Sequence, residues 1–405
     1  MAAKELDVRG LFDEAIKEYD KILELDPKHG STMNSLGYVY AELLNHEKAI
    51  EFVQRYAFAM PGQSQPLDSW AEIYLRLGDF DAAIAKYTEI LEIEPDFRGP
   101  EWSLAYIYAI KENYPETLNW MDSSRAKAPN APSKAESYRW KGFYYGWLGN
   151  KTLSFDCFDK ATKIAEVSEY LSSYNKLVVE LLKGWFYLNR GELEASREHF
   201  QISFDSKFNL PDRILDFLES LILGLLDLSE GKIDSAESRL AEMESLLSEM
   251  RHDAWYVIKE MGKYYTALLR AEIHLFKNAV DQAIAISKKA SILMIPSVGR
   301  GYDWIFLYNF PFQRDVLARA YRQKGDLDKA IDWYEKHIII DPKTTDRRLI
   351  PPKYHYKLAV LYEEKGRKSK AIEQYEKFLD LYKDADPGIA EVEDARKRLA
   401  GLKSE

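Results

Sequence analysis

GDLDKAIDWYEKHIIIDP, Gly325 to Pro342, decides the fold. Asp326 stands where a helix N-cap belongs, and Pro342 stops the helix that runs into it. Just upstream, DVLARAYRQK (Asp315 to Lys324) supplies a second helical stretch. Gly325 lies between the two and can take the positive φ that ends one helix before the next begins. Ala318, Tyr321, Gly325, Ala330, Tyr334 and Pro342 mark the unit, and that pattern returns along the chain. One such hairpin buries too little apolar surface to fold alone. Stacked copies make a continuous core, so the recurrence implies an all-α array.

With Ala318 as position 8, Tyr321 is position 11, Gly325 is 15, Ala330 is 20, Tyr334 is 24 and Pro342 is 32. The pattern resembles the tetratricopeptide repeat, a helix–turn–helix unit of about 34 residues. Small residues at 8 and 20 let the two helices of a unit approach closely, and the aromatics at 11 and 24 fill the space between hairpins. The resemblance implies a right-handed α-α superhelix, a solenoid of about ten units closed by a C-terminal capping helix.

The register divides the chain. Residues 1–168 read as regular units, the first incomplete, with Ala15, Tyr19 and Pro27 at positions 20, 24 and 32. The next are marked by Gly37, Tyr40 and Ala49, by Ala71, Tyr74 and Gly78, by Ala105, Tyr108 and Pro129, and by Gly142, Tyr145 and Gly149. Residues 169–295 read as longer units, marked by Gly184 and Tyr187, by Gly224 and Gly231, and by Ala271 and His274. Residues 296–315 form an aromatic insertion, 316–387 two regular units, and 388–405 the cap. In the cap, Ile389, Val392, Ala395, Leu399 and Leu402 share one face and Glu391, Asp394 and Arg398 the other. A start inside a repeat reads as a cut in a longer protein, and an open apolar end there invites self-association.

Composition excludes several functions. The formal net charge of −10 disfavours nucleic acid and anionic membranes as general partners. The longest apolar run, Leu221 to Leu226, is far too short to span a bilayer. MAAKELDVRG at the N-terminus has no apolar core of signal-peptide length. A lone cysteine, Cys157, leaves no intrachain disulfide and fits the reduced cytoplasm. The seven histidines form no helical zinc pair, and GRG at Gly299 to Gly301 lacks the spacing of a phosphate loop. The expectation is therefore no enzyme, no metal and no cofactor.

In the family resembled, positions 2, 5, 9 and 12 face the concave groove. Carried over, position 9 gives Tyr38, Glu72, Tyr106, Phe143, Trp185, Leu225, Glu272, Arg319 and Val360. Position 5 gives Asn34, Asp68, Trp102, Arg139, Leu181, Leu221, Leu268, Asp315 and Tyr356. In the sixth and seventh units the four groove positions are Val178, Leu181, Trp185, Leu188 and Leu218, Leu221, Leu225, Leu228. Two readings stand: an apolar groove that receives an amphipathic helix or peptide, or an interior closed on itself.

The insertion PSVGRGYDWIFLYNFPFQRD, Pro296 to Asp315, places Tyr302, Trp304, Phe306, Tyr308, Phe310 and Phe312 at every second position. It reads as an extended segment, either a lid over the groove or a packing loop. The basic stretch from Lys343 to Lys370 reads as solvated surface. No three consecutive units supply the Lys and Asn clamp that some tetratricopeptide co-chaperones use to hold a C-terminal carboxylate.

The expected partner-binding residues are Tyr38, Trp102, Tyr106, Phe143, Leu181, Trp185, Leu221, Leu225, Leu268 and Trp304. The expected function is a scaffold binding a protein or peptide in the groove, as the sensor or scaffold part of a larger prokaryotic signalling protein. The alternative is a small-ligand sensor or non-catalytic enzyme subunit, with a closed apolar cavity ringed by Trp185, Leu225 and Leu268.

Overall fold

The structure is a computed structural model and describes residues 2–8, 10–206, 214–249, 256–290, 308–309, 314–344 and 346–404. Among these, twenty helices pair in chain order into ten hairpins. Units 1 to 5 are α1 (Ala2–Val8) with α2 (Phe12–Leu25), α3 (Gly30–Glu42) with α4 (His46–Ala59), α5 (Ser64–Leu77) with α6 (Phe80–Ile93), α7 (Pro100–Ile110) with α8 (Tyr114–Lys127), and α9 (Ala131–Trp147) with α10 (Lys151–Ala165). Units 6 to 8 are α11 (Glu169–Asn189) with α12 (Leu193–Phe204), α13 (Ile214–Ser229) with α14 (Ile233–Glu249), and α15 (Tyr256–Phe276) with α16 (Val280–Lys289). Units 9 and 10 are α17 (Val316–Gln323) with α18 (Leu327–His337) and α19 (Lys353–Glu364) with α20 (Lys368–Leu381). The cap is α21 (Ala390–Ser404).

The turn inside each hairpin is built the same way. Position 15 is left-handed, as at Gly78 (φ 80°), Gly149 (φ 79°) and Gly325 (φ 84°). The N–H of position 16 then donates to the carbonyl of position 11, five residues back: Asp79 to Tyr74 at 2.9 Å, Asn150 to Tyr145 at 2.9 Å, Asp326 to Tyr321 at 2.9 Å. This is the Schellman closure of the first helix. The same position-16 residue caps the second helix. Asn45, Asp79, Asn150 and Asp326 each accept from the backbone N–H three residues on, at 2.9 to 3.2 Å. One dipeptide therefore ends a helix and starts the next.

Close approach within a unit is equally local. A Cβ on Gly184 would lie 2.5 Å from the Phe200 ring, and one on Gly142 would lie 2.6 Å from the Phe158 ring. Phe200 and Phe158 are fully buried, so each ring sits where an alanine side chain would otherwise project.

The array then turns back on itself. The hairpin turns of units 3 to 6 form an edge, and units 9 and 10 with the cap lie along it. At unit 3, Gly78 faces Arg347 and Pro342. At unit 4, Glu112 meets His355 Nε2 at 2.8 Å and Lys377 Nζ at 3.0 Å. At unit 5, the Gly149 carbonyl accepts from Asp386 N at 3.1 Å, and the Asn150 amide donates to the Asp384 carbonyl at 2.8 Å. There Asp386 also accepts from Thr152 N, in the first turn of α10, at 2.9 Å, where a carboxylate meets the positive end of the helix. At unit 6, Lys353 Nζ donates to the Asn189 carbonyl at 2.7 Å.

The core reflects that closure. One cluster of buried residues runs from Ala71 and Tyr106 through Leu221 to Tyr354, Tyr382 and Ile389. A smaller one holds units 1 and 2, around Tyr19, Leu36 and Val53. The basic stretch expected as solvated surface is corrected here. Arg347 is 0% exposed and Lys353 7%, because both sit in the seam. Arg347 donates through Nη1 and Nη2 to backbone carbonyls of Asp341, Asp346 and Pro342 beside the C-terminal end of α5, where a cation meets the negative end of the helix, while its buried Nε has no hydrogen-bond partner among the described residues. The outer part of the stretch is solvated and paired, as at Lys365 and Arg367 with Asp328.

Candidate partner-binding site

The inner row divides into a covered half and an open half. Tyr38 is half-buried and donates to Glu72 Oε2 at 2.8 Å, under an Arg76 guanidinium that also binds Glu72 and Glu42. Asp68, beside them, has its carboxyl pushed up to about 7, by burial first and by the nearby Glu72 second. Trp102 is half-buried with its ring edge-on to Trp140. Tyr106 is covered: its hydroxyl donates to the Arg347 carbonyl at 2.9 Å and accepts from Asn309 Nδ2 at 3.1 Å.

Phe143, Leu181, Trp185, Leu221 and Leu268 are all buried. Phe143, Trp147 and Trp185 make one aromatic stack, with Trp147 and Trp185 centroids 5.7 Å apart. Of the eight wall residues in units 6 and 7, only Leu188 and Leu225 are more than marginally exposed. Among the described residues, Trp185, Leu225 and Leu268 do not share the lining of either neighbouring cavity. Trp185 belongs to the stack, while Leu225 and Leu268 line two different cavities.

Trp304, with Tyr302, Phe306, Phe310 and Phe312, lies outside the described residues. Tyr308 is described and is 3% exposed, donating to Asp346 Oδ1 at 3.2 Å and accepting from Arg347 N at 2.9 Å. At that residue the insertion packs inward.

The open half is a cleft of about 540 Å³ between units 6 and 10. One wall is apolar: Leu188, Leu225, Leu228, Leu275 and Phe276, the last 51% exposed. The other is ionic. Arg319 bridges Glu272 and Asp315, and Lys357 Nζ reaches Asp315 at 2.6 Å. Burial works to raise the Asp315 carboxyl, yet Lys357 and Arg319 hold it well below the carboxylate range. The four charges pair with one another, so this wall carries no net charge.

Among the described residues, no group of histidine, cysteine and carboxylate side chains could hold a metal ion, and no helix is long and apolar enough to cross a membrane. Sequence reasoning missed the seam. Glu112 was its one visible sign, a carboxylate at position 15 where glycine is usual, with φ 55°.

Ten stacked hairpins with this turn chemistry form a superhelix of the tetratricopeptide-repeat type. Models of the tetratricopeptide repeat match residues 1–64, 67–101, 315–348 and 352–384. Such domains mediate protein–protein interactions. Among solved structures, a tetratricopeptide repeat protein from Parabacteroides merdae aligns at 16% identity over 76% of this chain and 99% of its own, with a TM-score of 0.45. Yeast Tom70 aligns at 15% identity over 100% of this chain and 94% of its own, with a TM-score of 0.42. MamA aligns at 19% identity over 41% of this chain and 95% of its own, with a TM-score of 0.33. No curated protein sequence matches the chain.

Proposed function

We propose that the chain is a scaffold that receives a peptide or helix of a partner protein in the cleft of units 6 to 10. The observation that carries this is the half-open apolar wall of Leu188, Leu225 and Phe276 facing a charge-balanced one. Apolar anchors gain there what burial supplies, about 1.5–3 kcal/mol for a leucine-sized side chain. The neutral ionic wall excludes strongly charged segments, which would be desolvated without gaining a partner. The site is thus narrower than the full row of groove positions. Phe143, Leu181, Trp185, Leu221 and Leu268 are buried in the core and do not line this cleft, and Tyr38 and Trp102 lie on the inner row of earlier units.

The wider reading places this scaffold in the cytoplasm as part of a larger regulatory protein, where occupancy of the cleft is relayed to a second domain. The lone buried thiol of Cys157 is consistent with a reducing compartment.

The test is selection of helical peptides from a displayed library against the folded chain, followed by affinity measurement with Leu225→Asp and Phe276→Asp variants. Selected peptides are expected to lose at least about tenfold in affinity to variants that keep the wild-type melting temperature. Peptides that bind both variants as tightly as wild type would place the site elsewhere.

A further inference from the structure

We infer that a second cavity, between units 8 and 9, is a binding site for a small aromatic anion, such as an aryl phosphate or aryl carboxylate. It encloses about 300 Å³, the lower end of the range for small-molecule sites. Its described lining includes three cations, Lys288, Arg314 and Arg348, and no carboxylate. Tyr264 and Trp333 supply aromatic walls.

The hydrogen-bonding capacity of this lining is only partly used. Ser287 Oγ is buried without a partner. Lys288 is exposed; among the described residues it makes no ion pair, and its ammonium lies over the Tyr321 ring at 5.8 Å. Arg348 directs Nε and Nη2 to the Asp346 carboxylate at 2.8 and 2.7 Å, leaving Nη1 without a described partner. His337 uses Nδ1 on the Trp333 carbonyl at 2.6 Å and stacks on the Trp333 ring at 3.8 Å. Burial, more than any other influence, lowers its basicity, so the ring is neutral near pH 7 with Nε2 as an acceptor.

The buried Ser287 hydroxyl, with the exposed Lys288 ammonium and the Arg348 guanidinium edge around the same space, offers donors that a bound oxyanion would use. A buried hydroxyl such as that of Ser287 is ordinarily hydrogen-bonded in a folded protein. An aromatic body on the anion would lie against Trp333 and Tyr264. This site is separate from the cleft, and neither reading depends on the other.

The probes are phenyl phosphate and inorganic phosphate, titrated calorimetrically into the full chain, wild type and Lys288→Met, Ser287→Ala and Lys289→Met variants. Lys289 neighbours the site in sequence but does not line it. Phenyl phosphate is expected to bind more tightly than inorganic phosphate. Lys288→Met is expected to weaken it about tenfold, Ser287→Ala severalfold, and Lys289→Met not at all. Melting temperatures of the free variants confirm that each is folded. Absence of binding at ~10 mM phenyl phosphate, well above the affinity a paired charge supplies, overturns the proposal. Equal binding by Lys288→Met and wild type, or equal weakening by Lys289→Met, overturns it as well.

Discussion

Replacing Gly149 by alanine, with Gly325→Ala as its partner experiment, isolates the seam. The two glycines share position 15, with φ 79° and 84°. Alanine in that left-handed conformation costs about 1–2 kcal/mol, offset by about 0.4–1 kcal/mol because alanine also restricts the unfolded chain. Nothing lies within 4 Å of a Cβ built on Gly325, so Gly325→Ala should lose about 1 kcal/mol and no more. A Cβ on Gly149 would lie 2.7 Å from Ile389 Cδ1 and 2.8 Å from the Tyr382 ring. Tyr382 is 2% exposed and Ile389 7%, so neither can swing into solvent. Overpacking of this kind adds about 1–3 kcal/mol. Gly149→Ala is therefore expected to lose about 2–4 kcal/mol in urea unfolding, and to enlarge the radius of gyration measured by X-ray scattering as the cap lifts from unit 5. Equal losses for the two variants, with no change in size for either, would refute the closure of the superhelix.

Three further outcomes follow from the ionisable groups. Burial works to raise the Glu112 carboxyl, but His355 and Lys377 together bring it below its ordinary 4.5. A carboxylate depressed in the folded state stabilises above its unfolded pKa and loses that contribution as pH falls through the folded one. Glu112→Gln should thus lower the melting temperature at pH 7, and the gap to wild type should close as pH falls below the ordinary 4.5 and through the depressed folded value. Asp68 has the opposite sign: its folded pKa of about 7 exceeds the ordinary 3.8, so its burial costs stability as pH rises from about 4 to 7. Asp68→Asn is expected to stabilise by on the order of 2 kcal/mol at pH 8 and by little at pH 4, read from paired melting curves; a pH-independent gap would refute it. Burial pushes the Cys157 thiol up to about 11, so native protein at pH 8 should resist iodoacetamide until denatured, and fast labelling by mass spectrometry would contradict this.

Legibility in the sequence follows the range of the interaction. The hairpin turn was readable because its parts are adjacent: Gly325 ends a helix and Asp326 caps the next, with partners a few residues away. The seam joins residues such as Thr152 and Asp386, 234 positions apart, and nothing periodic announces such a pair. Arg347 and Lys353 looked like surface because charge normally stays in water; their burial depends on a turn of the superhelix that no single unit encodes. The apolar row from Val178 to Leu228 was visible, but whether it faced solvent depended on that same closure.

Position 15 is where the two scales meet. Among the described residues three non-glycine side chains adopt its left-handed conformation, Leu44, Glu112 and Asn278, at φ 53°, 55° and 61°. Each carries a strain that glycine would avoid. In two of them the side chain reaches beyond its own hairpin: Glu112 to His355 and Lys377, and Asn278 through its Oδ1 to Gln323 Nε2 at 2.7 Å. The local rule is broken where a longer-range contact compensates. A non-glycine residue at this position thus points to a tertiary contact that repeat periodicity alone does not reveal.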